Sequence, residues 1–219
     1  MALEWNKVTW YSKLLAVILF VLTFYIGFNL CSSWGEQRIK NNLLPSGQFS
    51  NPEPTGVNLS QLYSNSAKGF SIRYPSDFTV DDTYKYQELG PGKDISGVKF
   101  TIPLSMKTGT NLGSDSYVSV EEISKTQTCT ASLFLDQGLA HTLTDRNIIY
   151  SVASSTGAGA GNRYEETVYA TPITNGCLAI RYFIHYGVLE NYPLGTVKQF
   201  DKQALLNQFD TIRHSLIIL

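Results

Sequence analysis

Three histidines and three cysteines are all the imidazoles and thiols that 219 residues offer for metal ligation or catalysis. His141, His185 and His214 are scattered, and no H-E-x-x-H pattern puts two of them on one helical turn, so a zinc peptidase is unsupported. A nucleophile elbow, G-x-S-x-G, is missing too. Gly113-Ser114-Asp115-Ser116 is a polar loop, and a hydroxyl without a positioned base is a poor nucleophile. Gly157 to Gly161 reads GAGAG, without the Lys-Ser/Thr ending of a phosphate loop or the G-x-G-x-x-G order, and is expected to be a flexible turn. Charge of one sign is also lacking. The chain carries 17 basic and 18 acidic residues, and setting aside Glu4, Lys7 and Lys13 leaves 15 and 17 beyond the first apolar run. No basic block stands out, so neither a nucleic-acid footprint nor a polybasic lipid-binding surface is expected. The expectation is no cofactor, no metal set, no nucleic-acid partner and no catalytic set.

What is present begins with Leu14–Leu30, LLAVILFVLTFYIGFNL, an uncharged run close to the roughly 17–25 residues that cross a bilayer as a helix. Trp10, Tyr11 and Trp34 flank it, where amphipathic rings favour the headgroup boundary. Residues 1–34 therefore read as a cytoplasmic stub and transmembrane anchor in contact with the lipid bilayer through residues 14–30. Two alternatives compete. A cleaved signal peptide ends in small residues, but Phe28-Asn29-Leu30-Cys31 puts bulky ones there. An acylated Cys31 would need a small residue before it, and Leu30 is not small. Lys7 and Lys13 precede the run and Arg38 and Lys40 follow it, so the positive-inside bias is weak. The short arm is the easier piece to leave in the cytoplasm, which places the rest outside. Trp5-Asn6-Lys7-Val8-Thr9-Trp10-Tyr11-Ser12-Lys13-Leu14 resembles the WNKVTWYSKL-type leaders of membrane-anchored proteins from uncultured, small-genome bacteria. That resemblance implies an anchor and says nothing of activity, because the domains behind such leaders differ.

Residues 35–68, with LLPSGQFSNPEPTGVN among them, read as a flexible linker. About 150 residues remain in 69–219, the usual size of one domain. Cys129 and Cys177 form an even pair there, which reads as a disulfide if the compartment is oxidising; two buried thiols that never meet are the alternative.

Period-2 alternation predicts strands at Phe70–Tyr74, at Val98–Leu104, from Tyr117 to Ile123, and along Leu178, Ile180, Tyr182, Ile184 and Tyr186. Asn147–Ala153 and Arg163–Ala170 read as a hairpin across the Gly/Ala turn. Asp201 is placed to cap a helix over Lys202–His214, with Leu205, Phe209 and Ile212 on one stripe and Phe200 and Leu205 as a hydrophobic staple. A second helix is expected over Thr130–Gln137, with Gly138 as its C-cap. Together these predict an α+β fold, a mainly antiparallel sheet packed with a few helices behind an N-terminal transmembrane helix.

Gly69-Phe70-Ser71-Ile72-Arg73-Tyr74-Pro75 resembles the GFSFxYP first strand of PsbP-like and Mog1-like domains, and Phe200–Leu206 with Phe209 resembles their closing helix. The stretches Thr108–Glu122, Gly161–Tyr169 and Cys177–His185 are similar to uncharacterised bacterial envelope proteins. The resemblance implies a PsbP/Mog1-like sandwich serving as a binding or accessory module, with no catalytic set to carry over.

The densest charge cluster is Arg163, Glu165 and Glu166, one strand from Arg181. Adjacent strand residues face opposite ways, so Glu165 and Glu166 cannot act together. Arg163, Glu165, Arg181 and His185 form the candidate ligand patch, with Glu165 and Arg181 expected as an outward cross-strand pair and His185 expected on the surface. The leading expectation is a non-catalytic extracytoplasmic module that binds an envelope protein or cell-wall component. Rivals are a membrane-tethered envelope hydrolase, using His141 or His185 with Glu165, Asp145 or Ser116, and a subunit of a pilus or secretion assembly.

Overall fold

The computed structural model describes residues 19–20 and 57–219. The expected anchor lies outside the described residues except for Leu19 and Phe20, which are helical. Among the described residues no helix is long and apolar enough to cross a membrane.

The domain is built on antiparallel sheet, as the alternation predicted. A small sheet joins β1 (Gln61–Asn65), β2 (Phe70–Tyr74) and β11 (Ile217–Ile218) in the order β1-β2-β11. The large sheet takes β3 (Thr79–Asp81), β4 (Lys85–Tyr86), β5 (Ile95–Thr101), β6 (Tyr117–Ser124), β7 (His141–Asp145), β8 (Ile148–Gly159), β9 (Asn162–Ile173) and β10 (Gly176–Gly187). Its order is β3-β5-β6-β10-β9-β8-β7, with β4 alongside β5. β1 falls within the expected linker: Gln61 to Asn65 pair residue by residue with Tyr74 to Phe70, so strand pairing reaches back into that segment.

Helix α2 (Lys202–Arg213) forms where expected, after the one-turn helix α1 (Leu104–Lys107). Asp201 caps α2, its Oδ1 accepting from the Ala204 amide at 2.9 Å. Leu205, Phe209 and Ile212 bury the apolar stripe. With Phe70 and Ile72 of β2 they pack on Val98, Phe100, Val118, Val120, Leu178, Ile180, Tyr182 and Ile184 of the large sheet, forming the main core. Phe200 joins the same core, as a staple should.

Three expectations need correction. Leu104 is not the end of a strand: β5 stops at Thr101, and Pro103 precedes α1, leaving Leu104 exposed. Gly157–Gly159 are strand, and the tight turn is Ala160-Gly161, whose φ values of 47° and 77° suit a two-residue hairpin loop. The helix expected over Thr130–Gln137 is only a 3-10 turn, Ala131–Leu133. The Phe134 carbonyl, which a helix would give to its own fourth-following amide, accepts instead from Arg181 Nη2 at 2.7 Å. The Ala131 amide likewise donates to Ser151 Oγ at 3.0 Å.

That turn covers the second face of the large sheet. Ala131, Phe134 and Leu135 pack there with Tyr86, Ile95, Ala153, Val168, Ala170, Cys177 and Ala179. The Cys129–Cys177 disulfide, with its Cα atoms 5.1 Å apart, ties the segment to β10. The central strands are thus buried on both faces.

Candidate functional site

On β10 the even residues feed the main core, so Arg181, Phe183 and His185 point to the second face. Register sets their neighbours: Arg181 lies between Ser119 and Val168, Phe183 between Tyr117 and Glu166, and His185 beside Tyr164.

Arg181 is fully buried. Its Nε and Nη2 donate to the two oxygens of Glu121, each at 2.8 Å. Nη1 donates to Glu166 Oε2. Tyr86 lies over the guanidinium, with 3.4 Å from its ring centroid to Cζ, and its hydroxyl donates to Glu166 Oε2 at 3.1 Å. Ser119 Oγ donates to Glu121 Oε1 at 2.7 Å. Burial works to lower the Arg181 pKa, but the hydrogen bonds and charge of Glu121, and then Glu166, outweigh it and hold the pKa above its ordinary value. The group stays charged, and two carboxylates share one guanidinium. Gly97 on β5 makes the space: a Cβ there would come within 3.1 Å of Glu121 Cγ and closer still to the Val120 carbonyl.

Beside this centre runs a row of rings. Tyr117 stacks on Phe183 at 4.9 Å and 20°, Phe183 neighbours Tyr164 at 6.2 Å, and Tyr164 stacks on His185 at 4.7 Å and 18°. Tyr84 meets Tyr117 edge-on at 5.6 Å, their hydroxyls 2.8 Å apart. Burial first, and then the Glu121 charge, raises the Tyr84 pKa far above 10; burial does the same for Tyr117. Neither phenol is available as a base. The row borders a cleft of about 470 Å³, which adjoins a second of about 210 Å³. Both share Tyr86, Glu88, Tyr164 and Glu166. One lobe is aromatic, with Tyr84, Tyr117 and Phe183; the other is mixed, with Leu89 and Leu135 beside Asp136, Ser155 and Thr156.

The four residues expected as one patch do not meet. Arg181 and His185 lie on the second face, but Glu165 is opposite Ile184 on the α2 side. There Glu165 accepts from the Tyr186 hydroxyl at 2.9 Å and from Lys202 of α2. Arg163, opposite Tyr186, shares that side and is exposed. The β9 residue that joins Glu121 on Arg181 is therefore Glu166, one residue along from the glutamate expected. Nor is His185 a plain surface residue. Its Nδ1 is 2.7 Å from Asp115 Oδ1, its side chain is 20% exposed, and its Nε2 is buried without a hydrogen-bond partner. Ser116 Oγ engages only its main chain, accepting from the amide at 3.0 Å and donating to the carbonyl at 3.2 Å. His141 is exposed on β7. His214 and Arg213 both bond Asp145 Oδ2, each at 2.7 Å, on the opposite side of the domain. Among the described residues no group of three or more His, Cys, Asp or Glu side chains could hold a metal ion.

Sequence reasoning missed Glu121, Tyr84, Tyr86 and Asp115 as members of this site. Ser119 and Glu121 alternating with Val118 and Val120 carried the signal: polar residues at one parity imply a second polar face. Nothing in the alternation says that the face is covered.

No protein-family model matches the chain, and no curated protein matches it. Among the solved structures similar to the chain are two from bacteria. A protein from Bacteroides thetaiotaomicron VPI-5482 is 13% identical with a TM-score of 0.42, over 74% of this chain and 49% of that one. The chain thus spans about half the length of that protein. Cyanobacterial PsbP from Synechocystis sp. PCC 6803 is 14% identical with a TM-score of 0.40, over 79% of this chain and all of that one.

Proposed function

We propose that the chain is a non-catalytic binding or accessory module of the cell envelope, anchored by residues 14–30 with its domain outside the cytoplasmic membrane. Its domain is a PsbP-like sandwich on this reading, and its partner an envelope protein or cell-wall component. One observation carries the non-catalytic part: the cleft's central carboxylate is committed. Glu166 Oε2 accepts from Arg181 and from Tyr86, so this oxygen is held in place and is no free nucleophile. The extracytoplasmic part draws support from the Cys129–Cys177 bond, since disulfides persist in oxidising compartments.

The second reading, a tethered hydrolase, has one observation in its favour, the Asp115–His185 hydrogen bond. An imidazole oriented by a carboxylate is two-thirds of a triad, but the Ser116 hydroxyl is held at the His185 main chain instead of its ring. Crosslinking in native membranes followed by purification of the full chain separates the two. The binding module yields a specific crosslinked partner, and the purified chain shows no turnover on peptide, ester, glycan or phosphate substrates. Turnover abolished by His185→Ala or Asp115→Asn would establish the hydrolase instead.

A further inference from the structure

The charge balance of the two-lobed cleft has a chemical consequence. Its charged lining comprises Glu88, Asp136 and Glu166 against Lys85 alone. Behind that lining, Arg181 is cancelled by Glu121, which grips it through both oxygens. Glu166 is the second carboxylate on that one guanidinium, so the centre carries surplus negative charge. The Glu166 side chain is 15% exposed where the two lobes join. Lys99 does not cancel this charge, because it lies over the Tyr84 and Tyr117 rings and pairs with Asp81 at 3.7 Å. Tyr84, Tyr117, Tyr164 and Phe183 supply apolar walls in the lobe of about 470 Å³, a volume in the range of small-molecule pockets.

We infer that this cleft binds a small organic cation, an alkylammonium compound. Its charged nitrogen would donate to Glu166 Oε1, the oxygen that Arg181 leaves open and that takes only a 3.3 Å contact from Tyr86. Its chain would lie in the aromatic lobe, and Glu88 and Asp136 would draw it in from the rim. The inference rests on the binding-module reading and names the class of ligand for that site. A cation is favoured over a neutral isostere because a charge-assisted hydrogen bond is roughly twice as strong as a neutral one. An anion would meet three carboxylates.

The test is calorimetric titration of the purified full chain with three probes of equal length: 1,5-diaminopentane, 1,5-pentanediol and glutarate. Ring resonances of Tyr84, Tyr164 and Phe183 locate the binding. The diamine should saturate and shift those rings, with the diol at least about tenfold weaker and glutarate silent. Added salt should weaken the diamine, as it does for exposed charges. Glu166→Gln should weaken it about tenfold while Glu121 continues to hold Arg181, and the exposed rim pair E88Q/D136N should weaken it several-fold without touching the core. The inference is overturned if the diol equals the diamine, if both variants bind unchanged, or if the diamine fails to bind at up to about 10 mM. Ring shifts with the diol or glutarate instead would remove the cation and keep the binding module, whereas turnover in the substrate panel would remove the module itself.

Discussion

Arg181 shows what one buried charge asks of its surroundings. Taking a guanidinium out of water is costly, and the cost is met by Glu121, Glu166, the Phe134 carbonyl and the face of Tyr86. Arg181→Met should destabilise the domain by about 3–5 kcal/mol, because it strands Glu121 in the interior. Changing both partners, E121M/R181M, should recover most of that loss. Urea melts of the two variants decide the point, and equal losses would mean the pair is not the source of the cost. Asp145 gives a pH-dependent counterpart on the other side. Burial works to raise its pKa, but hydrogen bonds from Arg213 and His214 outweigh it and hold the carboxyl below 3.8. In the unfolded chain the value returns to about 3.9. Its stabilisation is therefore complete above that pH and is lost as pH falls through the lower native value. Asp145→Asn should flatten the acid limb of stability against pH, read as urea midpoints between about pH 5 and 2.

At the scale of elements, the segment from Cys129 to Gly138 acts as a strap across the second face. It has little regular structure, yet Ala131 and Phe134 are fully buried and the Phe134 carbonyl completes the Arg181 shell. The disulfide spans 48 residues of sequence, and closing such a loop is worth about 4 kcal/mol in the chain-entropy model. The C129S/C177S variant should lose about that much by urea melt. Hydrogen exchange should rise first in 129–138, because the strap has few backbone bonds of its own. Uniform loss of protection across the sheet would show that the strap is not an independent unit. Helix α2 is the converse case, an element whose cap and stripe are local and whose docking face is set before it meets the sheet.

For the whole molecule, the defining property is a sheet covered on both faces. The small sheet and α2 close one side; β4 and the strap close part of the other and leave the aromatic cleft beside them. If residues 14–30 anchor the chain as proposed, the protein should stay in the membrane fraction through alkaline carbonate washing. Recovery of a shortened chain in the soluble fraction would remove the anchor.

The sequence by itself determined the elements with local signatures. Alternation in β2, β6 and β10 revealed strands because a pleated backbone sends successive side chains to opposite sides. Asp201 and the Leu205–Phe209–Ile212 stripe revealed α2 because capping and helical periodicity are properties of neighbouring residues. The pairing of Cys129 with Cys177 was one of two readings open at the sequence level, and the folded chain, which brings their Cα atoms to 5.1 Å, decides for the bond. Only the tertiary structure decided that the polar parity of β6 and β10 is buried, that Glu166 instead of Glu165 meets Arg181, and that Arg163 and Glu165 lie on the far side from His185. Those facts depend on register between strands far apart in sequence, and a slip of one residue exchanges the faces. The strap shows the same limit: its apolar residues suggested a helix, but the carbonyl and amide that a helix would have paired found Arg181 and Ser151 from elsewhere in the chain. A backbone group goes to its best available partner, and that partner exists only once the sheet has assembled.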